Sequence, residues 1–214
     1  MADNYLENRY EETHGKHAQK VIVKRVGQSL DSLLKKNRSC RGYDKRQAVS
    51  EETLEKIVAV NALLPSARNQ QLLRFKLVTA ETGAKKVLQN VKMGGALPQL
   101  HLPLPGTEPQ AFIIVCSMAE PNPMVYVDAG ISVQSMLLKA VDLGLNGLII
   151  AAFNKQEIRE AFALPHEPLL IVAIGKSCET ITCVPIEASE NHAYYRKDGV
   201  HYVPKVKPSE LLIR

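Results

Sequence analysis

The sequence predicts one domain of α/β or α+β type, in which short apolar strands alternate with amphipathic helices. Its 214 residues are enough for one domain of ordinary size with a substantial core. The apolar share of 45% and the charged share of 23% are both typical of soluble globular proteins. From residue 111 onward, continuous apolar runs of strand length alternate with helical patterns, which indicates strands covered on both faces.

Residues 1–27 predict a helical arm that precedes the main body of the domain. Apolar side chains recur there among many charged ones, so the arm needs another surface to pack against, such as a second subunit. The polar composition of the first 20 residues fits neither a signal peptide nor a transit peptide. No apolar run approaches the roughly 20 residues of a membrane-spanning helix. We therefore expect a cytoplasmic protein without a membrane partner.

Two helices are predicted in the next part of the chain. Leu30, Leu33 and Leu34 form the stripe of a short helix that buries one face and ends at Asn37. Ser50 is a good N-cap for the second helix, which a proline ends. The apolar side chains of the second helix are expected to face the core, and they are Leu54, Ile57, Val58 and Leu64.

A strand, a helix and an irregular segment should follow. Alternating side chains predict the strand at residues 74–79. Thr82 is predicted to cap a helix that reaches about Met93. Residues 94–110 contain three glycines and four prolines, so they should form an irregular segment. Its length is that of a functional lid or a mobile loop.

The second half of the chain predicts three apolar strands and two helices. One helix is expected from Asp128 to Leu143, and Asn154 should cap the other in a capping box with Glu157. The last forty residues carry no strong core signal, although Asp198-Gly199 predicts a hairpin turn. The strands are expected at residues 112–116, 145–151 and 169–174.

Residues 37–43, Asn-Arg-Ser-Cys-Arg-Gly-Tyr, join two predicted helices, and two arginines there flank a serine and a cysteine. Buried arginines need a partner, because an unpaired charge in a dry site is costly. Arg38, Ser39 and Arg41 together would suit a ligand with a phosphate and several acceptor oxygens. On these seven residues alone, a solvated basic turn remains the simpler interpretation.

Charge and cysteine content argue against two classes of partner. The net charge of +5 is modest, its lysines and arginines are scattered, and no nucleic-acid-binding module is recognisable. A zinc site is a poor expectation, because the spacing of the candidate ligands matches no common zinc finger. Those candidates are Cys178, Cys183, His192 and His201. We expect neither nucleic acid nor a metal.

Three separated motifs resemble those of the FMN-dependent nitroreductase-like proteins. Residues 38–43, Arg-Ser-Cys-Arg-Gly-Tyr, resemble the N-terminal Arg-Ser-x-Arg-x-aromatic motif of that family. Residues 65–71, Pro-Ser-Ala-Arg-Asn-Gln-Gln, resemble its Pro-Ser-x-x-Asn-x-Gln loop. Residues 144–153 resemble its Gly-Leu-Gly segment and the strand after it. The order and spacing of the motifs also agree with the family over residues 28–214.

The resemblance implies a single domain over residues 1–214 with an α+β, nitroreductase-like fold. That fold is a three-layer sandwich whose central, mostly antiparallel sheet is flanked by helices. A homodimer is implied as well, with FMN bound at each end of the subunit interface. Residues 176–214 would form a C-terminal extension that reaches towards the partner subunit.

The resemblance also implies which residues bind FMN. The residues around Arg41 would line the flavin from one subunit, and the loop that contains Asn69 would contact its ring from the other. Backbone at Ala151 would lie near N5 and O4, and the lysines near the C-terminus would lie near the phosphate. The cofactor-binding residues predicted in this way are Arg38, Ser39, Cys40, Arg41, Ser66, Asn69, Gln71, Ala151, Ala152, Lys205 and Lys207.

The chemistry of these residues is consistent with the implied roles. The guanidinium of Arg41 beside the N1/O2 edge would stabilise the negative charge that arrives on two-electron reduction. Asn69 offers both a donor and an acceptor, as N3–H and the ring carbonyls require. No acid–base residue is obligatory, because hydride passes directly to flavin N5 and catalysis is mainly positioning. No catalytic residue is therefore predicted.

Two departures from the family pattern and several simpler interpretations remain open. Asn37 stands where an additional arginine is common, and Leu72-Leu73 replaces the usual Pro-Trp. The arginines of the first motif could pair with Asp44 and Glu51 on the surface. Asn69 could bond its own backbone, and the C-terminal lysines could be solvated. Four histidines are interpreted as surface or turn residues: His101, His166, His192 and His201.

The function implied is that of an FMN-dependent oxidoreductase with ping-pong kinetics. NAD(P)H would reduce the flavin and leave, and a nitroaromatic, quinone or similar acceptor would take its place. Two alternatives stay open: a flavin enzyme of different chemistry, such as a dehydrogenase or dehalogenase of a specific metabolite, and a flavin-binding protein with little turnover.

Overall fold

The structure, a computed structural model, describes residues 27–95 and 97–213. These residues form an α+β fold in which helices cover both faces of a four-stranded sheet, and a second sheet of three strands follows. The predicted sandwich with a central antiparallel sheet is confirmed. Residues 1–26 of the predicted arm lie outside the described residues.

Two helices come first in the described chain, strands and helices then alternate, and three further strands follow, with short 3-10 turns between some of these elements. The α-helices are α1 (Leu30–Lys36), α2 (Glu51–Val58), α3 (Ala84–Leu88), α4 (Pro123–Asp142) and α5 (Lys155–Ala161). The strands are β1 (Leu73–Val78), β2 (Ala111–Ser117), β3 (Asn146–Ile150), β4 (Glu167–Gly175), β5 (Thr180–Ile186), β6 (Tyr195–Lys197) and β7 (Val200–Val206). The 3-10 turns are Ala59–Leu63, Ala67–Asn69, Pro98–Leu100 and Pro208–Glu210.

The central sheet has the strand order β1-β2-β4-β3, and every pair in it is antiparallel. Strand β2 is buried along its whole length, as its continuous apolar sequence predicts. Phe112 and Ile114 point to one face of the sheet, and Ile113 and Val115 point to the other. Each face therefore has its own apolar core.

Helices cover both of these cores. On one face, α2 contributes Leu54 and Ile57, and α4 contributes Met136. On the other face, α3 and α5 pack with Val87 and Ile158, respectively. All five side chains are fully buried, and each such burial stabilises the fold by about 1.5–3 kcal/mol.

Helix α4 begins five residues earlier than the sequence pattern predicts. Asn122 caps it by accepting a hydrogen bond from the backbone nitrogen of Met124 (3.0 Å), and Pro123 occupies its first turn. By length and composition alone α4 could cross a membrane, with a mean hydropathy of 1.2 over its most apolar stretch. Half of that stretch is buried inside the protein, which is the environment of a core helix.

Strands β5, β6 and β7 form a second sheet, which we call the C-terminal sheet. Its order is β5-β7-β6, with β7 in the middle, parallel to β5 and antiparallel to β6. Asp198 and Gly199 both have positive φ, as the predicted two-residue hairpin requires, so that prediction is confirmed. Strand β5 was not predicted.

Two helix predictions need correction. The helix expected from Thr82 to Met93 spans only α3, because Thr82 Oγ1 accepts a hydrogen bond from the backbone of Thr79 (2.7 Å) and does not cap the helix. Helix α1 exists as predicted, but its leucine stripe is not buried: Leu30 is 60% exposed and Leu34 is 39% exposed. These leucines are free to contact another surface.

The irregular segment expected at residues 94–110 is confirmed, with a single 3-10 turn in its described part. Leu97 and Leu102 are nevertheless buried, so part of this segment packs against the domain.

Candidate functional site

The loop that carries Arg38 to Arg41 is held against the edge of the central sheet. Ser39 forms a parallel bridge with Gly147 of β3, and the Cys40 amide donates a hydrogen bond to the Gly147 carbonyl (3.0 Å). A Cβ at position 147 would lie 2.6 Å from the Ala173 carbonyl oxygen, so only glycine fits there. The first and third sequence motifs therefore meet in space.

Cys40 and Tyr43 face the core, unlike Arg38, Ser39 and Arg41 of the same motif. The Sγ of Cys40 lies 3.0 Å from the carbonyl oxygen of Gly42 and 3.1 Å from Ser177 Oγ, and Cys40 is fully buried. Burial raises the pKa of the Cys40 thiol to about 12. The Tyr43 hydroxyl donates a hydrogen bond to the Cys40 carbonyl (2.8 Å), which fixes the turn. The Cys40 side chain thus anchors the loop.

Arg38, Ser39, Arg41 and Lys205 line one cavity of about 370 Å³. This volume lies within the range of about 300–1,000 Å³ that small-molecule sites occupy. Apolar side chains of α1, α4 and β3 form one side of the cavity, and the C-terminal sheet with the residues just before it forms another. The residues of this second wall are Tyr194, His201, Val203 and Lys205.

The arginines of this cavity have unused hydrogen-bonding capacity. The buried Nε atoms of Arg38 and Arg41 have no hydrogen-bond partner among the described residues. Arg38 Nη1 lies 3.1 Å from Cys183 Sγ, a weak acceptor. Leaving buried donors unpaired costs free energy, so this arrangement suits an anionic or carbonyl-rich ligand.

The simpler interpretation of a surface ion-pair network is not supported. Among the described residues, neither arginine of the motif lies within ion-pair distance of a carboxylate, and Asp44 pairs with Arg46 (2.8 Å). Arg41 instead lies over the ring of Tyr194, with its guanidinium carbon 4.8 Å from the ring centre.

His201 corrects another sequence-based interpretation. It was expected at the surface or in a turn, but it lies in β7 with only 3% of its surface exposed. Its Nδ1 is buried without a hydrogen-bond partner in the described structure, and its ring centre is 5.1 Å from that of Tyr194. Burial lowers its pKa, and the nearby guanidinium groups of Arg196 and Arg41 lower it further.

The loop from Ser66 to Gln71 lies at the N-terminal part of α4 and holds an unusual backbone. Arg68, Asn69 and Gln71 all have positive φ, between 50° and 53°. For residues other than glycine this conformation costs roughly 1–2 kcal/mol each. Strain of this kind concentrates at functional sites, where the surrounding structure maintains it.

Hydrogen bonds maintain that backbone. The buried carboxylate of Asp128 on α4 accepts a hydrogen bond from the Ala67 amide (2.9 Å). Ser66 Oγ accepts one from the Gln71 amide (3.1 Å), and Asn69 Oδ1 accepts one from Gln71 Nε2 (3.1 Å). Asn69 therefore bonds a neighbouring side chain while its own side chain remains exposed.

The structure places the remaining predicted residues apart from the cavity of Arg38 and Arg41. Ala151 and Ala152 follow β3 and are exposed, and Ala152 lines a different cavity beside Lys92. Lys207 forms an ion pair with Glu187, which raises the pKa of Lys207. Ser66 and Gln71 line a cavity beside α4. The two halves of the predicted site thus lie in different cavities of the single chain.

Sequence reasoning missed most of the second wall. His201 and Val203 share a face of β7 with Lys205 by the two-residue period of a strand, so that period was an available signal. Tyr194 and Asp128 carried no such signal, because their contacts join distant parts of the chain. In residues 27–95 and 97–213, no cluster of three His, Cys, Asp or Glu side chains could hold a metal ion.

Comparison with known proteins agrees with the fold. A protein of Archaeoglobus fulgidus assigned as an NADH dehydrogenase/NAD(P)H nitroreductase is 28% identical over 148 residues, which cover 64% of this chain and 79% of that protein. A nitroreductase family protein of Clostridium difficile 630 is 27% identical, with a TM-score of 0.56 over 71% of this chain and 86% of that one.

A protein of Exiguobacterium sibiricum assigned as a nitroreductase, and solved in complex with FMN, has the same fold with a TM-score of 0.58 and 21% identity. It aligns with 72% of this chain and 90% of its own. The family model for nitroreductases matches residues 34–176, a narrower range than the motifs indicated, and it leaves the C-terminal sheet outside the match. Because that match covers most of the chain and includes all three motifs, the chain belongs to the nitroreductase family.

Proposed function

We propose that the protein is an FMN-dependent oxidoreductase that takes electrons from NAD(P)H and passes them to a small-molecule acceptor. Family membership supports the flavin oxidoreductase class. The observation that carries the proposal is the cavity that gathers Arg38, Arg41 and Lys205, with two buried guanidinium nitrogens left unpaired among the described residues. An anionic cofactor rich in acceptor atoms fits this set of donors.

The residues of the cavity divide into two ends. His201 and Lys205 lie four residues apart on one face of β7, so they are separated by roughly 13 Å at the usual rise of a strand. Arg38 and Lys205 would hold the phosphate of FMN at one end. Arg41, which contacts the Tyr194 ring near His201, would lie beside the ring system at the other end and stabilise negative charge there.

The second half of the site would come from a partner subunit. Ser66, Asn69 and Gln71 line or adjoin another cavity in the single chain, so a site that uses both halves needs two copies. The exposed leucines of α1 and the exposed Val127 of α4 offer an apolar surface for that contact. We therefore propose a homodimer with two equivalent sites.

When bound, FMN would supply two-electron redox chemistry, in which NAD(P)H gives up a hydride and an acceptor such as a nitroaromatic or a quinone is reduced. The protein contributes binding and orientation, and no general acid or base of the chain is required. Donor and acceptor would occupy the same cavity in turn, so we expect ping-pong kinetics. We also propose a cytoplasmic location, where both nicotinamide donors are present.

The test is the visible absorption spectrum of the purified protein after incubation with FMN. We expect bands near roughly 370 and 450 nm that lose intensity when NADH or NADPH is added without oxygen. Steady-state rates with menadione or nitrofurazone as the acceptor should then give parallel lines in double-reciprocal plots against the NAD(P)H concentration. A protein that stays colourless contradicts the cofactor, and a sequential mechanism contradicts the ping-pong scheme.

A pair of arginine variants tests the cavity itself. Arg38→Gln should weaken FMN binding about tenfold or more, because a hydrogen bond to a charged group contributes about 1.5–3 kcal/mol. Arg46→Gln is the matched control, since the Arg46 side chain is 90% exposed and pairs only with Asp44 among the described residues. Equal FMN affinity of the two variants would place the cofactor elsewhere.

A further inference from the structure

Glu179 connects the first motif to the C-terminal sheet. Its Oε2 accepts a hydrogen bond from the Arg41 amide (2.6 Å), and its Oε1 accepts one from Arg196 Nη2. The Glu179 side chain is only 9% exposed, and that of Arg196 is 23% exposed. A carboxylate this well buried needs both of these partners to offset the loss of its hydration.

The chain around Glu179 runs beside the first motif for several residues. The Cys178 amide donates to the Gly42 carbonyl (3.1 Å), and the Asp44 amide donates to the Lys176 carbonyl (2.8 Å). Ser177 pairs with Tyr43 in an antiparallel bridge. These backbone hydrogen bonds fix residues 42–44, whereas the contact that reaches Arg41 itself comes from the Glu179 side chain.

The position of the Arg41 backbone limits where its guanidinium can lie. That guanidinium makes only weak contacts of its own, to the Ser39 carbonyl (3.3 Å) and to the Tyr194 hydroxyl (3.5 Å). Its Nε is buried without a partner among the described residues. The side chain is therefore held mainly by its backbone and by the Tyr194 ring, and Glu179 restrains the backbone while Arg196 on β6 completes the link.

Charge adds a second effect at the same place. Arg41, Arg196 and the imidazole of His201 lie together, and the guanidinium groups of both arginines lower the pKa of His201. Glu179 is the acidic group that acts on His201 in the opposite direction. Without its carboxylate, the two arginines would repel each other across the wall of the cavity.

We propose that Glu179 is a positioning residue for the cofactor site: it holds Arg41 in the cavity and joins the C-terminal sheet to the first motif. This inference rests on the proposed FMN site. Glu179 follows the residues that match the family model, so the link belongs to this chain's own C-terminal sheet. Loss of the link should move Arg41 before it unfolds the domain.

Glu108 provides a matched control for an ordinary structural carboxylate. Its Oε1 accepts a hydrogen bond from the Gly106 amide (3.2 Å), and its other oxygen pairs with Lys45. Glu108 therefore has the same two kinds of partner as Glu179, one backbone amide and one cation. It does not line the cavity of Arg41.

The first measurement needs no cofactor. The side-chain protons of Arg41 should resonate upfield in the NMR spectrum, because they lie over the Tyr194 ring. Arg41→Lys identifies the Arg41 signal, because that signal disappears in the variant. Tyr194→Leu gives the chemical shift of the signal in the absence of the Tyr194 ring. Glu179→Ala should move the signal at least halfway towards that reference position, and Glu108→Ala should leave it in place. An unmoved signal in Glu179→Ala overturns the proposal.

The second measurement is the FMN dissociation constant, read from flavin fluorescence. Glu179→Ala should raise it about tenfold, and Glu179→Gln, which keeps an acceptor for the Arg41 amide, should raise it about threefold. In an Arg41→Ala background the Glu179→Ala change should alter it less than about twofold, because non-additivity marks residues that act together. Equal effects of Glu179→Ala with and without Arg41 would overturn the proposal.

The two measurements separate this inference from the proposed function. If the protein binds no FMN, the cofactor proposal fails while the NMR signal still decides whether Glu179 positions Arg41. If Glu179→Ala does not fold, Glu179→Gln is measured in both experiments instead, with Glu108→Gln as its control. Glu179 would be only a structural carboxylate if the Glu179 and Glu108 variants lost similar thermal stability and both kept the wild-type affinity for FMN.

Discussion

Burial and two neighbouring guanidinium groups lower the pKa of His201 below that of an ordinary histidine. The groups that face it are Arg41, Arg196, Glu179 and the Tyr194 ring. The unfolded chain therefore binds a proton more readily than the folded protein does in the range between the folded pKa and about 6.5. The folded state should lose stability as the pH falls through that range.

His201→Gln tests this expectation. The free energy of unfolding of the wild type should fall more steeply than that of the variant between pH 7.5 and pH 5, measured by urea denaturation. The slope is compared, because replacing a buried residue also lowers stability at every pH. His192→Gln, an exposed histidine that contacts the Ala188 carbonyl, is the control and should keep the wild-type slope. If the free energy of unfolding fell equally steeply with pH in the wild type and in His201→Gln, His201 would not be the source of the pH dependence.

The sequence indicated some residues of the site and not others for a physical reason. Arg38 and Arg41 stand in a short motif whose spacing alone suggested a common ligand. His201 was interpreted as a surface or turn residue, because its burial depends on β5, which pairs in parallel with β7 across about twenty residues of chain. Parallel pairing leaves no local turn signal, so neither β5 nor the burial of His201 could be predicted.

At the scale of elements, α4 controls the shape of the loop from Ser66 to Gln71. The Asp128 carboxylate accepts the Ala67 amide, and Ser132 Oγ donates to Asn61 Oδ1 (2.6 Å) just before the loop. Three residues of the loop hold a strained left-handed backbone. The strain persists because the helix supplies partners that an isolated loop lacks.

Asp128→Ala should therefore lower the free energy of unfolding by about 1–3 kcal/mol, since it leaves a backbone donor without its charged acceptor. Hydrogen exchange at residues 66–71 should become faster. Asp142→Ala, which removes an exposed carboxylate paired with Lys139 on the same helix, should cost less than about 1 kcal/mol. Equal losses in the two variants, with unchanged exchange in the loop, would show that Asp128 does not maintain the loop.

Local capping signals predicted the starts of α2 and α5 correctly and failed at α3, where a competing local bond exists. Ser50 and Asn154 cap α2 and α5 as their sequence contexts indicate. Thr82 failed because its hydroxyl bonds back to Thr79. The apolar stripe of α1 has the period of a helix, which shows only that one face of the helix is apolar. In the described part of the single chain, no other element buries that face.

At the scale of the whole molecule, the two half-sites predict that assembly and cofactor binding are coupled. Val127 on α4 is 49% exposed and lies beside the loop of residues 66–71. Val127→Asp should shift the protein from dimer to monomer in sedimentation, because a charge in an apolar contact is costly. FMN affinity should fall in parallel and should recover at high protein concentration.

Ala163→Asp is the control for that experiment. Ala163 is exposed and follows α5, which covers the opposite face of the central sheet from α4, and it lines neither half-site. This variant should remain dimeric with unchanged FMN affinity. A monomeric wild type that binds FMN tightly would contradict the two-subunit site.

The four strands of the central sheet were predictable, three as continuous apolar runs and β1 by its alternating side chains. Their antiparallel arrangement was expected only from the resemblance of the motifs. The assembly of the site was not predictable from residue patterns, because in the proposed dimer it depends on which loops meet across the subunit interface. Only the resemblance of the motifs supplied that expectation. The C-terminal sheet was visible in part, through the turn at Asp198-Gly199.

The order of strands in the C-terminal sheet has a consequence for how the protein is made. Strand β7 is the last of the described strands in sequence but lies in the middle of its sheet, and it carries His201 and Lys205 into the cavity. During translation, the central sheet can form while β7 is still inside the ribosome, but one wall of the cavity cannot. A nascent chain can therefore acquire its core well before it can retain a cofactor, and loading must follow the release of residues up to 206.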